Sequence, residues 1–258
     1  MYPKLFGIID TYYVMFIIGI IVCLLILFFY FKKKKVSKDL TILYAINGLL
    51  SIIAGVIFAN LFQNLYDYIA NPVDFKYSGN MTFLGGLLMG VVFFIIFYLL
   101  FIRKKDKEVF KYILIIAPSC ITAAHFFGRL GCFFNGCCYG LETNSWLGMY
   151  FPNIEKTVYP TQLFEAFFLL IVSVLTGILA FKKDFIYNLP IYFGSYGIFR
   201  FLIEYIRGDD RGQFVTGLTP SQFWSIFMVI VAIGSIFLIN YLYGKNKIFK
   251  SRKKVSAD

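Results

Sequence analysis

Three groups of polar side chains stand out in this chain. The stretch "HFFGRLGCFFNGCCYG" (His125–Gly140) gathers an arginine, an asparagine, the only histidine and three of the five cysteines. Further on, Tyr196, Arg200, Glu204 and Arg207 fall at i, i+4, i+8 and i+11, the spacing of one helix face. Between them, Gln162 and Glu165 lie at i and i+3 in "YPTQLFEAFF". Arginine offers a planar fork of donors that matches phosphate oxygens and does not deprotonate. Glu204, set between two arginines, neutralises one guanidinium and leaves net positive charge. One reading is an internal ion pair that orients a helix. The other is a cationic face turned to an anion inside a helical bundle. Gln162 and Glu165 fit either a helix–helix hydrogen bond or a polar patch at the outer end of a helix.

The elements that must position these groups are membrane helices. Of 258 residues, 59% are apolar and only 15% charged, against about 25% charged in soluble domains. Mean hydropathy is +0.74, and apolar runs reach the roughly 20 residues that cross a bilayer. The chain reads as an all-α integral membrane protein with seven spans, at about 12–31, 40–60, 83–102, 112–128, 161–181, 187–206 and 219–243. The first run is full length and lacks an A-x-A site, so no cleaved signal peptide is expected. No linker divides the chain, which reads as a single domain over residues 1–258.

The net charge of +11 is distributed as topology demands, and nucleic-acid binding is not expected. Basic clusters at Lys32–Lys38, Arg103–Lys107, Lys182–Lys183 and Lys245–Lys254 each end an apolar run. The positive-inside rule then puts the N-terminus outside and the C-terminus in the cytoplasm. Loops such as "YSGNMT" and "GDDRGQ" fall outside. An ionisable side chain at mid-bilayer costs on the order of 2.5–3.5 kcal/mol, so Arg129, Arg200 and Glu204 need partners, water or a task. In a membrane the most abundant anion is the lipid headgroup phosphate.

Two outer segments echo each other, "YPTQLFEAFF" and "TPSQFWSIFM", as helix starts, and Thr219 with Gln222 resembles a capping box. The echo is too short for an internal repeat, which weighs against a transporter. In "FLGGLLMG", Gly86 and Gly90 have small-xxx-small spacing, suited to close helix packing.

Together these motifs resemble the prolipoprotein diacylglyceryl transferase family over nearly the whole chain. "GRLGCFFNGCCYG" supplies Gly128, Arg129, Gly131, Phe133, Asn135 and Gly140 of the family signature G-R-x-G-N-F-x-N-x-E-x-x-G. "LGGL" stands for H-G-G-L, and "PTQLFE" and "YGIFRFLIEYIR" are intact. Tyr12 falls where the family has a functional tyrosine, with Tyr13 replacing the usual glycine after it. The resemblance implies transfer of the diacylglyceryl group of phosphatidylglycerol to a lipobox cysteine thiol in the bacterial cytoplasmic membrane, the active site toward its outer half. It implies no metal and no cofactor. Arg129 and Arg200 are then the expected phosphate-binding and leaving-group residues, with Asn135 on the headgroup, Glu204 positioning Arg200, and Arg207 gating the outer mouth. Tyr12, Gly85, Gly86, Gly140, Gln162 and Glu165 complete the expected substrate site, with prolipoprotein segments and membrane lipids as partners.

The chain departs from the family pattern at two places. Leu84 replaces the H-G-G-L histidine, and Cys132 and Cys137 replace the signature's first asparagine and its glutamate. His125, four residues before Arg129, is either a substitute base or orienter, or a satisfied core histidine. Alternatively, nearby arginines lower the acceptor thiol's pKa with no histidine base. Cys132, Cys137 and Cys138 read as small packing residues, as a disulfide from Cys132, or as metal or redox chemistry. The C-x4-C-C spacing is poor for a tetrahedral metal. These departures keep open a relative that uses another lipid or thiol acceptor, and a non-catalytic lipid-binding or transport protein stands as the remaining alternative.

Overall fold

A computed structural model describes residues 3–5, 7–70, 72–73, 75–79, 83–106, 108–208 and 217–255. Residues 80–82 of "YSGNMT" and 209–213 of "GDDRGQ" lie outside these, as do the side chains of Leu84 and of the Lys245–Lys254 cluster. The helices are α1 (Thr11–Lys33), α2 (Lys38–Ala70), α3 (Phe83–Phe97), α4 (Val109–Asn135), α5 (Thr161–Lys183), α6 (Asn188–Ile203) and α7 (Pro220–Val255). Two small antiparallel hairpins, absent from the sequence reading, pair β1 (Lys4–Leu5) with β2 (Ile9–Asp10) and β3 (Met149–Phe151) with β4 (Lys156–Val158).

Among the described residues, six helices are long and apolar enough to cross a membrane, and they coincide with the first five expected spans and the last. The remaining expected span, 187–206, is the 16-residue α6 continued by a 3₁₀ turn at Glu204–Ile206. At 1.5 Å per residue α6 extends about 24 Å. The fourth span runs past its expected end at 128, to Asn135. Gly128 and Gly131 do not stop it, and the chain leaves the helix only at Gly136, where φ is +70°. Arg129 is therefore a helical residue and not a turn residue.

The chain forms two compact units, residues 1–30 with 111–258, and residues 31–110. In the second, α2 and α3 pack through glycine. A Cβ on Gly86 would sit 2.8 Å from the Gly55 carbonyl oxygen, and one on Gly90 3.2 Å from that of Ser51. Lipid tails are as apolar as leucine, so such close approach supplies the van der Waals contact that holds helices together. Tyr44 donates to Asp106, and Asn47 Nδ2 donates to the Phe94 carbonyl at 3.1 Å, so the buried polar groups of this unit are partnered.

In the first unit, Ser119 of α4 and Ser173 of α5 each donate to the other's carbonyl, at 2.9 and 3.0 Å. Asn188 Nδ2, at the start of α6, donates to the carbonyls of Ile115 and Thr176 at 3.0 and 2.9 Å. These bonds lock α4, α5 and α6 in register below the site. Leu169, Val172, Tyr192 and Tyr196 form a buried cluster above them, packed against Phe126, Phe168, Phe193 and Met228. α7 begins with the expected capping box. Gln222 N–H donates to Thr219 Oγ1 at 3.2 Å, and Thr219 N–H donates to Gln222 Oε1 at 3.1 Å.

Candidate active site

Three of the helices so fixed converge on Glu165. Its Oε1 lies 3.0 Å from an Arg129 guanidinium nitrogen and accepts a 2.8 Å hydrogen bond from the Tyr196 hydroxyl. His125 Nε2 stands 3.6 Å from the same oxygen, a charge-pairing distance and not a hydrogen bond. The four residues come from α4 (His125, Arg129), α5 (Glu165) and α6 (Tyr196). His125 and Arg129 share a face because they are one helical turn apart. The His125 ring meets Tyr196 edge-to-face at 5.4 Å, which orients both. Glu165 is fully buried, so its carboxylate needs this company.

The partnering is nevertheless incomplete. Arg129 Nε, Glu165 Oε2 and Gln162 Oε1 are buried and have no hydrogen-bond partner among the described residues. A buried polar atom left unpaired costs about 1–3 kcal/mol. Asn188 Oδ1, Arg200 Nη1 and Glu204 Oε2 are likewise buried without a hydrogen-bond partner among the described residues, although the last two form an ion pair at 2.7 Å.

Arg200, one turn beyond Tyr196 on α6, belongs to a second cluster. It pairs with Glu204 at 2.7 Å and donates to Ser221 Oγ of α7 at 2.8 Å. Glu204 also accepts from Thr219 Oγ1 at 2.9 Å and lies 3.9 Å from Arg207 Nε. The capping box thus holds Glu204, and Glu204 holds Arg200. Glu165 lies within electrostatic reach of Arg200 as well as Arg129. Three arginines against two glutamates leave the combined clusters with one net positive charge when His125 is neutral.

Arg207 does not continue the helix face as its spacing predicts. The 3₁₀ turn ends α6, and Arg207 takes an extended conformation. There it bridges to Gly140, with Leu141 N–H donating to the Ile206 carbonyl at 2.9 Å. A Cβ on Gly140 would lie 2.6 Å from that same Ile206 oxygen, so the crossing requires glycine. The signature glycine is explained by this crossing of two backbones.

The remaining expected residues spread around this centre. Tyr12 packs on Gly131, where a Cβ would meet its ring at 3.0 Å, and lies within electrostatic reach of Arg129. Asn135 is exposed at the last residue of α4. Gln162 is fully buried and donates to the Cys137 carbonyl at 2.5 Å, so its hydrogen bond runs from α5 to the turn after α4 and not from helix to helix. Gly85 and Gly86 belong to the other compact unit, where Gly86 faces α2. Sequence reasoning left Tyr196, Ser221 and Thr219 out of the expected site. Tyr196 opens the quoted helix face, and the hydroxyls of Thr219 and Ser221 flank the proline of "TPSQ". The three cysteine sulfurs of the turn lie within 4.8 Å of one another. Hydrogen bonds from the Cys132 and Cys137 thiols, with Arg207 and Arg129 nearby, hold the Cys138 thiol below its usual range.

The sequence family of prolipoprotein diacylglyceryl transferases matches residues 4–238. A phosphatidylglycerol–prolipoprotein diacylglyceryl transferase of Clostridium tetani is 32% identical over 243 residues, covering 89% of this chain and 93% of that protein. One of Rickettsia rickettsii is 35% identical over 249 residues, with the same coverage of 89% and 93%. One of Hydrogenovibrio crunogenus is 34% identical over 215 residues, covering 76% of this chain and 75% of that protein. With matches of this extent running through the buried arginine clusters, the chain belongs to the prolipoprotein diacylglyceryl transferase family.

Proposed function

We propose that this protein is a transferase that moves the diacylglyceryl group of phosphatidylglycerol onto the lipobox cysteine of prolipoproteins. The thiolate sulfur attacks the glyceryl carbon that carries the phosphate. A C–S bond forms, the C–O bond to phosphate breaks, and the leaving group departs as glycerol 1-phosphate. Negative charge moves from sulfur to the phosphate oxygen, so catalysis requires cations placed at the leaving group and a way to take up the thiol proton.

The observation that carries this reading is the unpaired Arg129 Nε beside Glu165. A phosphate oxygen accepted there satisfies the orphaned donor, while Glu165 and Tyr196 keep the guanidinium aimed. Arg200, held by Glu204 and Ser221, supplies the second cation for the leaving phosphate. Arg207 and Asn135 contact the headgroup at the outer mouth. Gln162 keeps the turn in place, Gly140 holds the backbone crossing at Ile206, and Tyr12 lines the lipid path beside Arg129. His125 takes the acceptor thiol's proton or orients Glu165. The proton goes to its imidazole in the first case, and to solvent at the mouth in the second.

The protein lies in the bacterial cytoplasmic membrane as seven spans, N-terminus outside, with α6 and its 3₁₀ turn as the short span. Lys32–Lys33 ending α1 and Lys182–Lys183 ending α5 support this orientation. The test is release of glycerol 1-phosphate from phosphatidylglycerol vesicles containing the purified protein. Release that depends on an added lipobox peptide supports the reading. Release without acceptor, or none with it, contradicts it.

A further inference from the structure

The turn after α4 holds a feature to which the proposed transfer assigns no role. Cys132 lies in the last turn of α4, and Cys137 and Cys138 follow the break at Gly136. Spacing alone disfavours a common ligand set, but the backbone overturns that. Gly136 at φ +70° and Cys138 at φ +64° turn the chain back on itself, bringing all three sulfurs within 4.8 Å of one another. A non-glycine residue in this left-handed region is uncommon and costs on the order of 1–3 kcal/mol, which the surroundings must over-determine.

They do. The three successive carbonyls of the turn each accept a side-chain hydrogen bond. Asn153 Nδ2 donates to Gly136 at 2.8 Å, Gln162 Nε2 to Cys137 at 2.5 Å, and Thr161 Oγ1 to Cys138 at 2.9 Å. Two of these donors lie in the first turn of α5, and Gly140 pins the exit of the turn against Ile206. The thiols therefore sit half-buried on a preorganised scaffold in the turn that follows α4.

We propose that Cys132, Cys137 and Cys138 form a three-thiolate site for one thiophilic d¹⁰ cation, with Zn(II), Cd(II) and Cu(I) as the chemical class. Metal–sulfur bonds of about 2.3 Å place sulfurs roughly 3.8–4.0 Å apart. Binding draws the sulfurs, which lie within 4.8 Å of one another, to that spacing. Thiolates select soft cations, and three protein ligands leave a fourth position open. Binding releases the thiol protons to solvent as the metal–sulfur bonds form. A divalent ion with three thiolates carries net negative charge, which Arg129 and Arg207, both within electrostatic reach of Cys138, offset. Cys23 and Cys120, with the Cys120 thiol directed at the Cys23 carbonyl at 3.6 Å, lie in α1 and α4 and form no part of this group.

The experiment is a Cd(II) titration of the reduced, detergent-purified chain, followed by the thiolate-to-cadmium charge-transfer band and by maleimide labelling read in a mass spectrometer. The expected result is saturation at one Cd(II) per chain, with Cys132, Cys137 and Cys138 protected from labelling. Cys132→Ser and Cys138→Ser each weaken binding at least tenfold, and the Cys23→Ala/Cys120→Ala double variant keeps it. The labelling footprint of the unmodified chain stands even where a variant fails to fold. No charge-transfer band, unchanged labelling of the three cysteines, or loss of binding only in the double variant overturns the proposal.

Discussion

Glu165 Oε1 receives both the Arg129 guanidinium at 3.0 Å and the Tyr196 hydroxyl at 2.8 Å, while its second oxygen and Arg129 Nε stay unpaired. One carboxylate oxygen thus ties Arg129 of α4 and Tyr196 of α6 to α5. The consequences of breaking this arrangement differ by residue.

Glu165→Ala leaves Arg129 buried without its counter-charge. Breaking a buried ion pair in this way costs about 3–5 kcal/mol, so the thermal unfolding midpoint in detergent falls clearly. Glu165→Gln keeps an acceptor for Tyr196 and falls less. Equal melting of the two variants contradicts the ion-pair account.

Tyr196→Phe removes a hydrogen bond to a charged group, a loss of about 1.5–3 kcal/mol. Because the ring still packs in the Leu169–Val172–Tyr192 cluster, the fold persists and the transfer rate carries the loss. A rate within twofold of wild type would show that Tyr196 does not hold Glu165 for the reaction.

The capping box makes a differential prediction. Gln222→Ala removes one cap bond and destabilises by about 0.5–1.5 kcal/mol. Thr219→Val removes the cap and also the 2.9 Å bond to Glu204, the partner of Arg200. Transfer activity at equal folded fraction therefore drops further in Thr219→Val. The reverse order would disconnect the cap from Arg200.

Much of this arrangement was legible in the sequence, and the rest was not for specific reasons. The arginines and Glu165 stood out because ionisable groups are rare in apolar helices, and the capping box because its two residues are local. The end of α4 was misplaced by Gly128 and Gly131, ordinary stop signals in water; here the helix runs through both, and Gly131 permits close contact with Tyr12 of α1. Arg207 was set on a helix face by spacing, whereas its pairing with Gly140 depends on residues far apart in sequence. The gathering of three thiols followed from two positive-φ residues that no spacing rule encodes.

Gly140→Ala tests the crossing at Arg207. Its methyl would lie 2.6 Å from the Ile206 oxygen, forcing the two backbones apart and carrying Arg207 with them. A displacement near 1 Å at a positioning residue costs about a hundredfold in rate. Assays of transfer across phosphatidylglycerol concentrations should show that loss, and an unchanged rate would remove Arg207 from the site.

His125→Gln separates the two routes for the thiol proton. A lost general base lowers the rate by about 10²–10⁴-fold, and the fall should shrink as pH rises and the acceptor thiol ionises unaided. Full activity at neutral pH would make His125 a packing residue, with the thiol losing its proton to solvent because the nearby arginines lower its pKa.

The central claim is that Arg129 and Arg200 carry diacylglyceryl transfer. Purified protein, phosphatidylglycerol and a lipobox peptide are mixed, and the peptide's mass is followed for the wild type, Arg129→Ala and Arg200→Ala. The account predicts one diacylglyceryl addition with the wild type and none with either variant. No addition with folded wild-type protein, or addition by Arg129→Ala at the wild-type rate, would contradict it.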